Sequence, residues 1–395
     1  MQQALELAGK GIALASPNPC VGALLVDSRS QVIGRGTHTY EGRKHAEILA
    51  LEAAGDRARG ATLYSSLEPC SHVGRTGPCV EAIIAARVKR VVIAMRDPNP
   101  AVSGRGVARL REAGIEVQEG LAEADAKRLN ESFAKYIRHK MPFVTLKTAM
   151  TLDGKIAPPP GEGATPSVLA PLTASGGWIT SEEARVHVHQ LRHANDAIMV
   201  GVGTIIADDP LLTDRTGLAR RRPLLRVILD SKLRLPLDSR VVKTAREDVI
   251  VFCCFAEENK RRELETRGVL VEQVPMRRPA QDGTIPFPSA APSNDGRPDL
   301  EQVLARLGER EITSVIIEGG AMVNWTALSA GLVDKIFFYY APKILAGTGS
   351  IPFALGAGYR RISDAAYVKS LVLHRFGEDF AVEGYLRDPY AEAGK

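Results

Sequence analysis

The stretch His45-Ala46-Glu47, followed downstream by Pro69-Cys70 and Pro78-Cys79, brings together residue types that bind zinc. One imidazole and two thiolates are ligands that zinc prefers, and three protein ligands leave one tetrahedral position open. A zinc ion with an open position holds water and lowers its pKa toward neutrality. Glu47 is not needed as a ligand and is placed to carry protons. The pattern therefore predicts a zinc-dependent hydrolytic deamination site.

The geometry of this stretch is compatible with a single metal ion. His45 and Glu47 are two residues apart, so on a helix their side chains point in nearly opposite directions. Both can face one metal only if it lies off the end of the helix, and His45 is predicted to begin that helix. Cys79 begins another predicted helix, and the positive end of a helix favours a thiolate.

The alternatives are a closed structural zinc site and the absence of a metal. Closed sites usually have four Cys or His ligands, and the nearest further candidate here is His72. A non-catalytic, zinc-stabilised binding module would make Glu47 dispensable. The catalytic interpretation is favoured because the glutamate and both Pro-Cys steps occur together.

The segment between the two cysteines is longer than the Cys-x-x-Cys spacing of nucleobase deaminases. It contains His72, Arg75 and Thr76, which are groups that bind phosphate. A solvated loop is the alternative, but beside a catalytic zinc these residues favour a phosphorylated substrate. Asn18 lies between two prolines, where its amide either reads the edge of a base or forms a turn.

Length and composition predict a two-domain cytoplasmic enzyme. The chain has 395 residues, more than one hydrophobic core usually supports. Its net charge of +5 comes from scattered residues and is weak evidence for nucleic-acid binding. Five cysteines are too few for a disulfide framework and favour a reducing compartment. We find no signal peptide and no apolar run long enough to cross a membrane.

Strands alternate with helices in the first part of the chain, which predicts a three-layer α/β domain. The apolar run at 90–95 is typical of a strand buried on both faces of a partly parallel sheet. Predicted helices span 2–15, 45–55, 80–87, 104–113 and 121–138, and predicted strands span 21–27, 31–36, 61–66, 90–95 and 115–118.

A second domain is predicted to begin near residues 140–142. Its predicted strands are 143–147, 197–200, 224–229, 249–253, 315–317 and 335–340, and residues 158–176 and 276–298 are predicted to form long loops. No Gly-x-Gly-x-x-Gly follows the first strand, so a Rossmann site is not supported. Glu318-Gly319-Gly320 opens a helix after a strand, which is either a phosphate-binding turn or an ordinary one.

Motifs along nearly the whole chain resemble those of the bifunctional riboflavin-biosynthesis deaminase–reductase family. The N-terminal motifs are Pro17-Asn18-Pro19-x-Val21-Gly22, His45-Ala46-Glu47 and Glu68-Pro69-Cys70-Ser71-His72-x-Gly74-Arg75-Thr76. The C-terminal motifs are Leu146-Lys147-x-Ala149-x-x-Leu152-Asp153-Gly154-Lys155, Trp178-Ile179-Thr180-Ser181, Gly203-Thr204, Ala207-Asp208-Asp209-Pro210-x-Leu212-Thr213 and Ile317-Glu318-Gly319-Gly320. Two departures are Gly77 and Gly176, where the family more often has proline and serine.

The resemblance implies a cytidine-deaminase-like domain over residues 1–140 and a dihydrofolate-reductase-like α/β domain over residues 141–395. It implies zinc-dependent deamination of 2,5-diamino-6-ribosylamino-4(3H)-pyrimidinone 5′-phosphate, then NADPH-dependent reduction of the ribosyl group to ribityl. The expected cofactors are Zn²⁺ and NADPH. The expected partners are phosphorylated pyrimidines and further copies of the chain, in a dimer or tetramer, without nucleic acid or membrane.

The resemblance also implies roles for residues of the second domain. Lys147 would polarise the reacting group. The substrate would be lined by Arg192, Leu212, Arg215 and Glu318. NADPH would contact Ala149, Trp178, Thr204, Asp208 and the turn formed by Gly320, Ala321, Met322, Val323, Asn324, Trp325 and Thr326. Alternatively, Trp178 is a core residue and Arg192 a charge on a helix surface.

A different class of enzyme remains as the alternative. A nucleic-acid or free-nucleoside deaminase with an appended binding domain would also carry the zinc residues. Such an enzyme predicts a Cys-x-x-Cys spacing and a contiguous basic or aromatic stripe, and the sequence shows neither.

Overall fold

A computed structural model describes residues 1–72, 77–159, 178–276 and 296–391. The chain divides into two compact units at Lys140 and Met141. The first unit also contains Ala219–Arg222 and a C-terminal piece that begins at Pro389, both of which the sequence division placed in the second domain. Most of the two predicted long loops lies outside the described residues.

The two added pieces of the first unit are held by specific contacts. Arg221 stacks its guanidinium 3.6 Å from the ring centroid of Tyr40 and donates a hydrogen bond to the carbonyl of Ser16 (2.7 Å). The hydroxyl of Tyr390 donates to the carbonyl of Lys127 (2.7 Å). These long-range contacts explain why the first unit takes in residues from later in the chain.

The first unit contains a five-stranded sheet of order β2-β1-β3-β4-β5. Strand β1 pairs antiparallel with β2 and β3, whereas β3, β4 and β5 are parallel. The five predicted strands are confirmed, and β4 is buried as expected. The strands are β1 (Gly22–Val26), β2 (Val32–Thr37), β3 (Thr62–Ser65), β4 (Arg90–Ile93) and β5 (Glu116–Glu119).

One helix lies very close to the first two strands. A Cβ added at Gly34 or Gly36 would lie about 2 Å from the carbonyl oxygens of Ala50 or Ala46. Only glycine therefore permits this approach, which fixes the start of the helix where His45 is the N-cap. The helices of this unit are α1 (Gln2–Gly9), α2 (Ala46–Ala54), α3 (Cys79–Ala85), α4 (Arg105–Glu112), α5 (Glu123–Leu129) and α6 (Glu131–His139).

Two helix predictions were wrong in extent. The predicted helix at 2–15 ends at Gly9, and Ala13 has a left-handed φ of 60° that no helix can continue through. The predicted helix at 121–138 is broken at Asn130. The Asn130 amide accepts from the backbone N–H of Cys20 (2.8 Å) and donates to its carbonyl (3.1 Å), so it serves a distant segment.

The second unit contains a nine-stranded sheet of order β11-β10-β9-β8-β12-β6-β13-β16-β15. Its strands are parallel from β11 to β13, and β16 and β15 continue antiparallel. Of these, β11, β15 and β16 were not predicted. Strands β7 and β14 form a separate two-stranded antiparallel sheet. The strands of this unit are β6 (Phe143–Thr151), β7 (Lys155–Ala157), β8 (Ala197–Gly201), β9 (Leu225–Leu229), β10 (Val249–Cys253), β11 (Val269–Gln273), β12 (Ser314–Ile317), β13 (Lys335–Ala341), β14 (Ile351–Pro352), β15 (Lys369–Phe376) and β16 (Asp379–Tyr385).

The register of this sheet places two distant residues side by side. Leu146 of β6 pairs with Ile317 of β12, so the next residues, Lys147 and Glu318, are neighbours.

None of the helices among the described residues is long and apolar enough to cross a bilayer. The helices of this unit are α7 (Glu182–His193), α8 (Val202–Asp208), α9 (Arg240–Lys243), α10 (Glu258–Thr266), α11 (Leu300–Glu309) and α12 (Ala321–Ser329).

Candidate active sites

The three predicted metal ligands converge in the first unit. His45 caps α2, Cys70 follows β3, and Cys79 is the first residue of α3. The Nδ1 atom of His45 lies 3.2 Å from Sγ of Cys79 and 3.4 Å from Sγ of Cys70. With Zn–S bonds of about 2.3 Å and Zn–N bonds of about 2.0 Å, tetrahedral ligand atoms lie roughly 3.5–3.8 Å apart. The cluster therefore fits one zinc ion after a small expansion.

The two thiols are electrostatically suited to a cation. The hydrogen bond from the Cys79 side chain lowers the pKa of Cys70 to about 4, and the same bond raises the pKa of Cys79. The backbone N–H of Cys79 also donates to Sγ of Cys70 (3.3 Å). The pair thus shares one proton, which a bound metal ion would replace while stabilising both thiolates.

Glu47 lies beside this cluster without belonging to it. It is in the first turn of α2, and its side chain is buried. Burial raises the pKa of Glu47 to about 7, although the nearby His45 opposes the shift. A carboxyl group with a pKa near the working pH can both accept and return a proton. This is the chemistry that the sequence predicts for Glu47.

A histidine that the sequence reasoning missed connects Asn18 to the metal ligands. The Asn18 amide nitrogen lies 3.0 Å from Nε2 of His38, and Nδ1 of His38 lies 2.9 Å from the carbonyl of Lys44. Both bonds form if Nδ1 donates and Nε2 accepts, which assigns the Asn18 amide nitrogen as the donor to His38. The His38 ring meets His45 edge-on, with centroids 5.4 Å apart. No motif marks His38; only its position shortly before His45 could have suggested it.

Glu68 holds the loop that carries Cys70. Its buried carboxylate accepts four backbone hydrogen bonds of 2.9–3.1 Å, from the N–H groups of Asp97, Gly104, Gly106 and Val107. A Cβ at Gly106 would lie 2.1 Å from the carbonyl oxygen of Pro69, so these segments touch. The sequence motif contained Glu68 without showing this supporting role.

Of the residues predicted at the rim of the zinc site, only some are among the described residues. His72 is exposed, and Arg75 and Thr76 lie outside the described residues. Asp97 is partly buried, and burial raises its pKa to about 6, with further influence from Glu68, His72 and Cys70. Asp97 is therefore close enough to Glu68, His72 and Cys70 to interact with them electrostatically.

A second cluster of charges lies in the second unit. Arg192 of α7 donates to both carboxylate oxygens of Glu318, at 2.7 and 2.9 Å, and to the carbonyl of Thr213. Nζ of Lys147 lies 3.4 Å from Glu318. Burial alone would raise the pKa of Glu318, but Arg192 and Lys147 outweigh it and lower the value to about 2. Two cations facing one carboxylate leave a positive site, which suits an anionic ligand.

A glycine turn near these charges is open to a ligand. Gly319 and Gly320 have φ values of 117° and 86°, and they precede the N-terminus of α12. A Cβ added at Gly320 would lie 3.8 Å from Oγ1 of Thr204, so these two predicted cofactor residues adjoin. Ala149 lies two residues after Lys147 on the same face of β6. Backbone N–H groups at a helix start bind phosphate, so the turn fits a nucleotide cofactor.

Only the start of the predicted turn 320–326 is available to a ligand, and it is available through backbone N–H groups. Asn324 is fully buried and donates to the carbonyl of Phe353 (2.6 Å). Oγ1 of Thr326 donates to the carbonyl of Met322 (2.8 Å). Ala321, Met322 and Val323 therefore offer their backbone N–H groups, whereas Asn324, Trp325 and Thr326 lie further into the helix.

The remaining predicted residues occupy different environments. Trp178 is 61% exposed, which excludes the core alternative, and Arg185 stacks 4.8 Å from its ring centroid. Asp208 ends α8, and burial raises its pKa. Leu212 is packed in the core with a φ of 55°, whereas Arg215 is exposed.

Several known proteins are similar to this chain over nearly its whole length, so each similarity includes both units. The riboflavin biosynthesis protein RibD of Aquifex aeolicus is 40% identical over 383 residues, covering 97% of this chain and 96% of that one. The Escherichia coli RibD is 36% identical over 390 residues, covering 96% of each. The RibD structure of Acinetobacter baumannii superposes with a TM-score of 0.78 at 35% identity and covers 97% of both chains. A deaminase/reductase structure from Thermotoga maritima gives 0.75 at 37% identity, covering 98% of this chain and 97% of that one.

Family models divide the chain in the same way. Residues 1–95 match the cytidine and deoxycytidylate deaminase zinc-binding region, and residues 142–363 match the RibD C-terminal domain. The fold and the two sites thus define a zinc-dependent deaminase joined to a reductase. The chain belongs to the RibD family of bifunctional riboflavin-biosynthesis deaminase–reductases. It is both a hydrolase and an oxidoreductase and uses zinc and NADPH, which confirms the predicted fold class, function and cofactors.

Proposed function

We propose that residues 1–140 deaminate 2,5-diamino-6-ribosylamino-4(3H)-pyrimidinone 5′-phosphate, and that residues 141–395 then reduce the ribosyl group to ribityl. The Thermotoga maritima relative is described as a diaminohydroxyphosphoribosylaminopyrimidine deaminase and 5-amino-6-(5-phosphoribosylamino)uracil reductase. The observation that carries the proposal is the buried Glu47 beside three metal ligands, because hydrolytic deamination needs a proton carrier at the metal.

In the deaminase step, His45, Cys70 and Cys79 hold the metal. Zinc, when bound, supplies a Lewis acid that lowers the pKa of water. Glu47 takes a proton from the attacking water and passes it to the adjacent ring nitrogen of the substrate. Glu47 then takes the proton of the newly added hydroxyl and passes it to the amino group. The amine leaves as ammonia, and the hydroxyl oxygen becomes the carbonyl. Asn18 orients the pyrimidine through its amide oxygen, and the sequence motif assigns His72, Arg75 and Thr76 to the phosphate.

In the reductase step, the positive cluster orients the phosphorylated sugar. NADPH, when bound, supplies the hydride for C1′ of the ribosyl group. Lys147 donates a hydrogen bond and then a proton to the ribosyl ring oxygen as the bond between this oxygen and C1′ breaks. The hydride adds at C1′, and the oxygen becomes a hydroxyl of the ribityl chain. Arg192 fixes Glu318, and Glu318 in turn holds the ammonium group of Lys147. Arg215 supplies positive charge for the phosphate.

The residues assigned to NADPH fall into two groups, those that hold its phosphates and those that contact other parts of the cofactor. Thr204 and the Gly319–Gly320 turn hold phosphates, with backbone N–H groups of the first turn of α12 as donors. Ala149 lies on the Lys147 side of the site. Trp178 and Asp208 border the cofactor.

Separate measurement of the two reactions tests this function. Purified protein is expected to hold one zinc ion per chain, to release ammonia from the diaminopyrimidine without NADPH, and to oxidise NADPH with the deaminated intermediate. Removing zinc with a chelator should abolish ammonia release and leave NADPH oxidation intact, because the ligands lie in the first unit alone. Absence of NADPH oxidation would reduce the chain to a deaminase.

We further propose that the chain forms a homo-oligomer, a dimer or tetramer. Strand β15 is the last strand of its sheet among the described residues, and Leu371 and Leu373 are 60% and 73% exposed. Exposed apolar side chains on an edge strand favour pairing with a second copy. Replacing both leucines with lysine is expected to lower the mass measured by sedimentation. A wild-type monomer at micromolar concentration would contradict the proposal.

The thiolate ligands also support a cytoplasmic location. Cys70 and Cys79 must stay reduced to bind metal, and reducing compartments keep cysteines in this form. Fractionation of cells that express the tagged chain would test this location.

A further inference from the structure

One face of α7 carries three basic side chains. Arg185, His189 and Arg192 follow one another at spacings of four and three residues, so they lie along one stripe of the helix. The neighbouring face contains Ala184 and Val188, which are buried in the core. The stripe therefore borders the packed side of the helix rather than facing away from the protein.

Both ends of this stripe meet residues already assigned to the reductase site. Arg185 stacks on Trp178, which borders the cofactor. Arg192, at the other end, is hydrogen-bonded to Glu318 in the substrate cluster. His189 lies between these two ends.

The imidazole of His189 differs from the other two histidines of α7. Nδ1 of His187 is 2.6 Å from the hydroxyl of Tyr339, and Nδ1 of His193 is 2.8 Å from Asp214. Nδ1 of His189 is shielded from solvent and has no hydrogen-bond partner among the described residues. Buried polar groups are normally paired, so this nitrogen is suited to a ligand that the described residues do not supply.

The charges that face His189 come from three elements. Burial lowers its pKa, and Arg192 and Arg215 lower it further, whereas Glu318 and Asp214 act in the opposite direction. Asp214 is bound to His193, and Glu318 to Arg192. In the free enzyme the imidazole is therefore held neutral by the same cations that attract an anion.

We propose that His189 is a further substrate-binding residue of the reductase site, which contacts the sugar phosphate of the substrate and takes up a proton when that anion binds. This inference rests on the proposed reduction of a ribosyl 5′-phosphate. A phosphate dianion near Arg192 and Arg215 offsets their effect on the imidazole. The pKa of His189 is then higher in the complex than in the free enzyme, so affinity falls as pH rises through the pKa of the complex.

Calorimetry with ribose 5-phosphate tests the inference on the full-length, NADP⁺-loaded enzyme. Titrations between pH 6.5 and 8.5, in buffers of different ionisation enthalpy, give affinity and proton uptake while the phosphate is mostly dianionic, since its second pKa is about 6. Wild type is expected to take up more protons than His189→Gln. The variant should bind roughly tenfold more weakly at the lowest pH, because a hydrogen bond to a charged group is lost. The difference should narrow as pH rises.

The control is Val186→Gln, at a 54% exposed position of the same helix, which should bind as wild type does. Unchanged ammonia release and NADP⁺ binding by His189→Gln would show that both units are folded. Equal affinity and proton uptake in wild type and variant would overturn the inference. Weaker binding with unchanged proton uptake would also overturn it, because a structural role gives that result. Failure of wild type to oxidise NADPH would instead contradict the proposed function.

Discussion

Glu47→Gln is expected to release ammonia about 10²–10⁴-fold more slowly than wild type while retaining zinc. The amide occupies nearly the same space but cannot accept the water proton or return it to the leaving group. Zinc content should not change, because the three converging ligands are His45, Cys70 and Cys79. Ammonia release with and without the substitution, together with metal analysis, measures the effect.

Glu52→Gln on the same helix is the matched control. Glu52 is half exposed, and its one ion pair among the described residues is with Lys44, a surface contact worth about 0–1 kcal/mol. Its ammonia release should equal that of wild type. Full ammonia release by a zinc-loaded Glu47→Gln enzyme would exclude the proton-carrier role.

Lys147→Met is expected to slow NADPH oxidation by about 10²–10⁴-fold, because the hydrogen-bond donor to the reacting sugar is lost. The methionine preserves most of the buried side-chain volume, and Arg192 still pairs with Glu318. NADP⁺ binding should change little, since the glycine turn and Thr204 are untouched. Stopped-flow absorbance of NADPH with the deaminated intermediate measures the chemical step.

Lys243→Met provides the comparison, because Lys243 is an exposed lysine of the same unit. It should oxidise NADPH at the wild-type rate. Ammonia release by both variants should be unchanged, which would show that the first unit is intact. A Lys147→Met enzyme that oxidises NADPH as fast as wild type would remove Lys147 from the mechanism.

The zinc site was readable from the sequence because local rules position each of its ligands. His45 and Cys79 lie at helix starts, and Pro78 favours the beginning of a helix directly before Cys79. Cys70 follows a short strand. Such local geometry requires no knowledge of distant contacts.

Helix ends were less predictable because they depend on partners far away in the chain. The amphipathic pattern continues through Asn130, but its side chain binds the backbone of Cys20, 110 residues earlier. Similarly, the N-terminal pattern continues past Gly9. Gly11 then packs near the carbonyl of His38, so a tertiary contact accompanies the break.

The reductase cluster could not be derived from local sequence. Lys147 and Glu318 are 171 residues apart and meet only through the register of β6 and β12. The assignment of these residues to the site came from the resemblance to a family. Physical reasoning alone did not distinguish a site residue from a helix-surface charge at Arg192. His38 and His189 belong to no motif, and their roles depend on neighbours that only the folded chain reveals.

The return of the chain to its first unit limits how the two activities can be separated. A gene fragment that stops at Lys140 would omit the arginine that stacks on Tyr40 and binds Ser16. It would also omit Tyr390, whose hydroxyl binds Lys127. Splitting the gene at the boundary between Lys140 and Met141 thus removes two sets of stabilising contacts from the deaminase. A working monofunctional version would need new residues at both places, so fission of this gene is harder than its sequence division suggests.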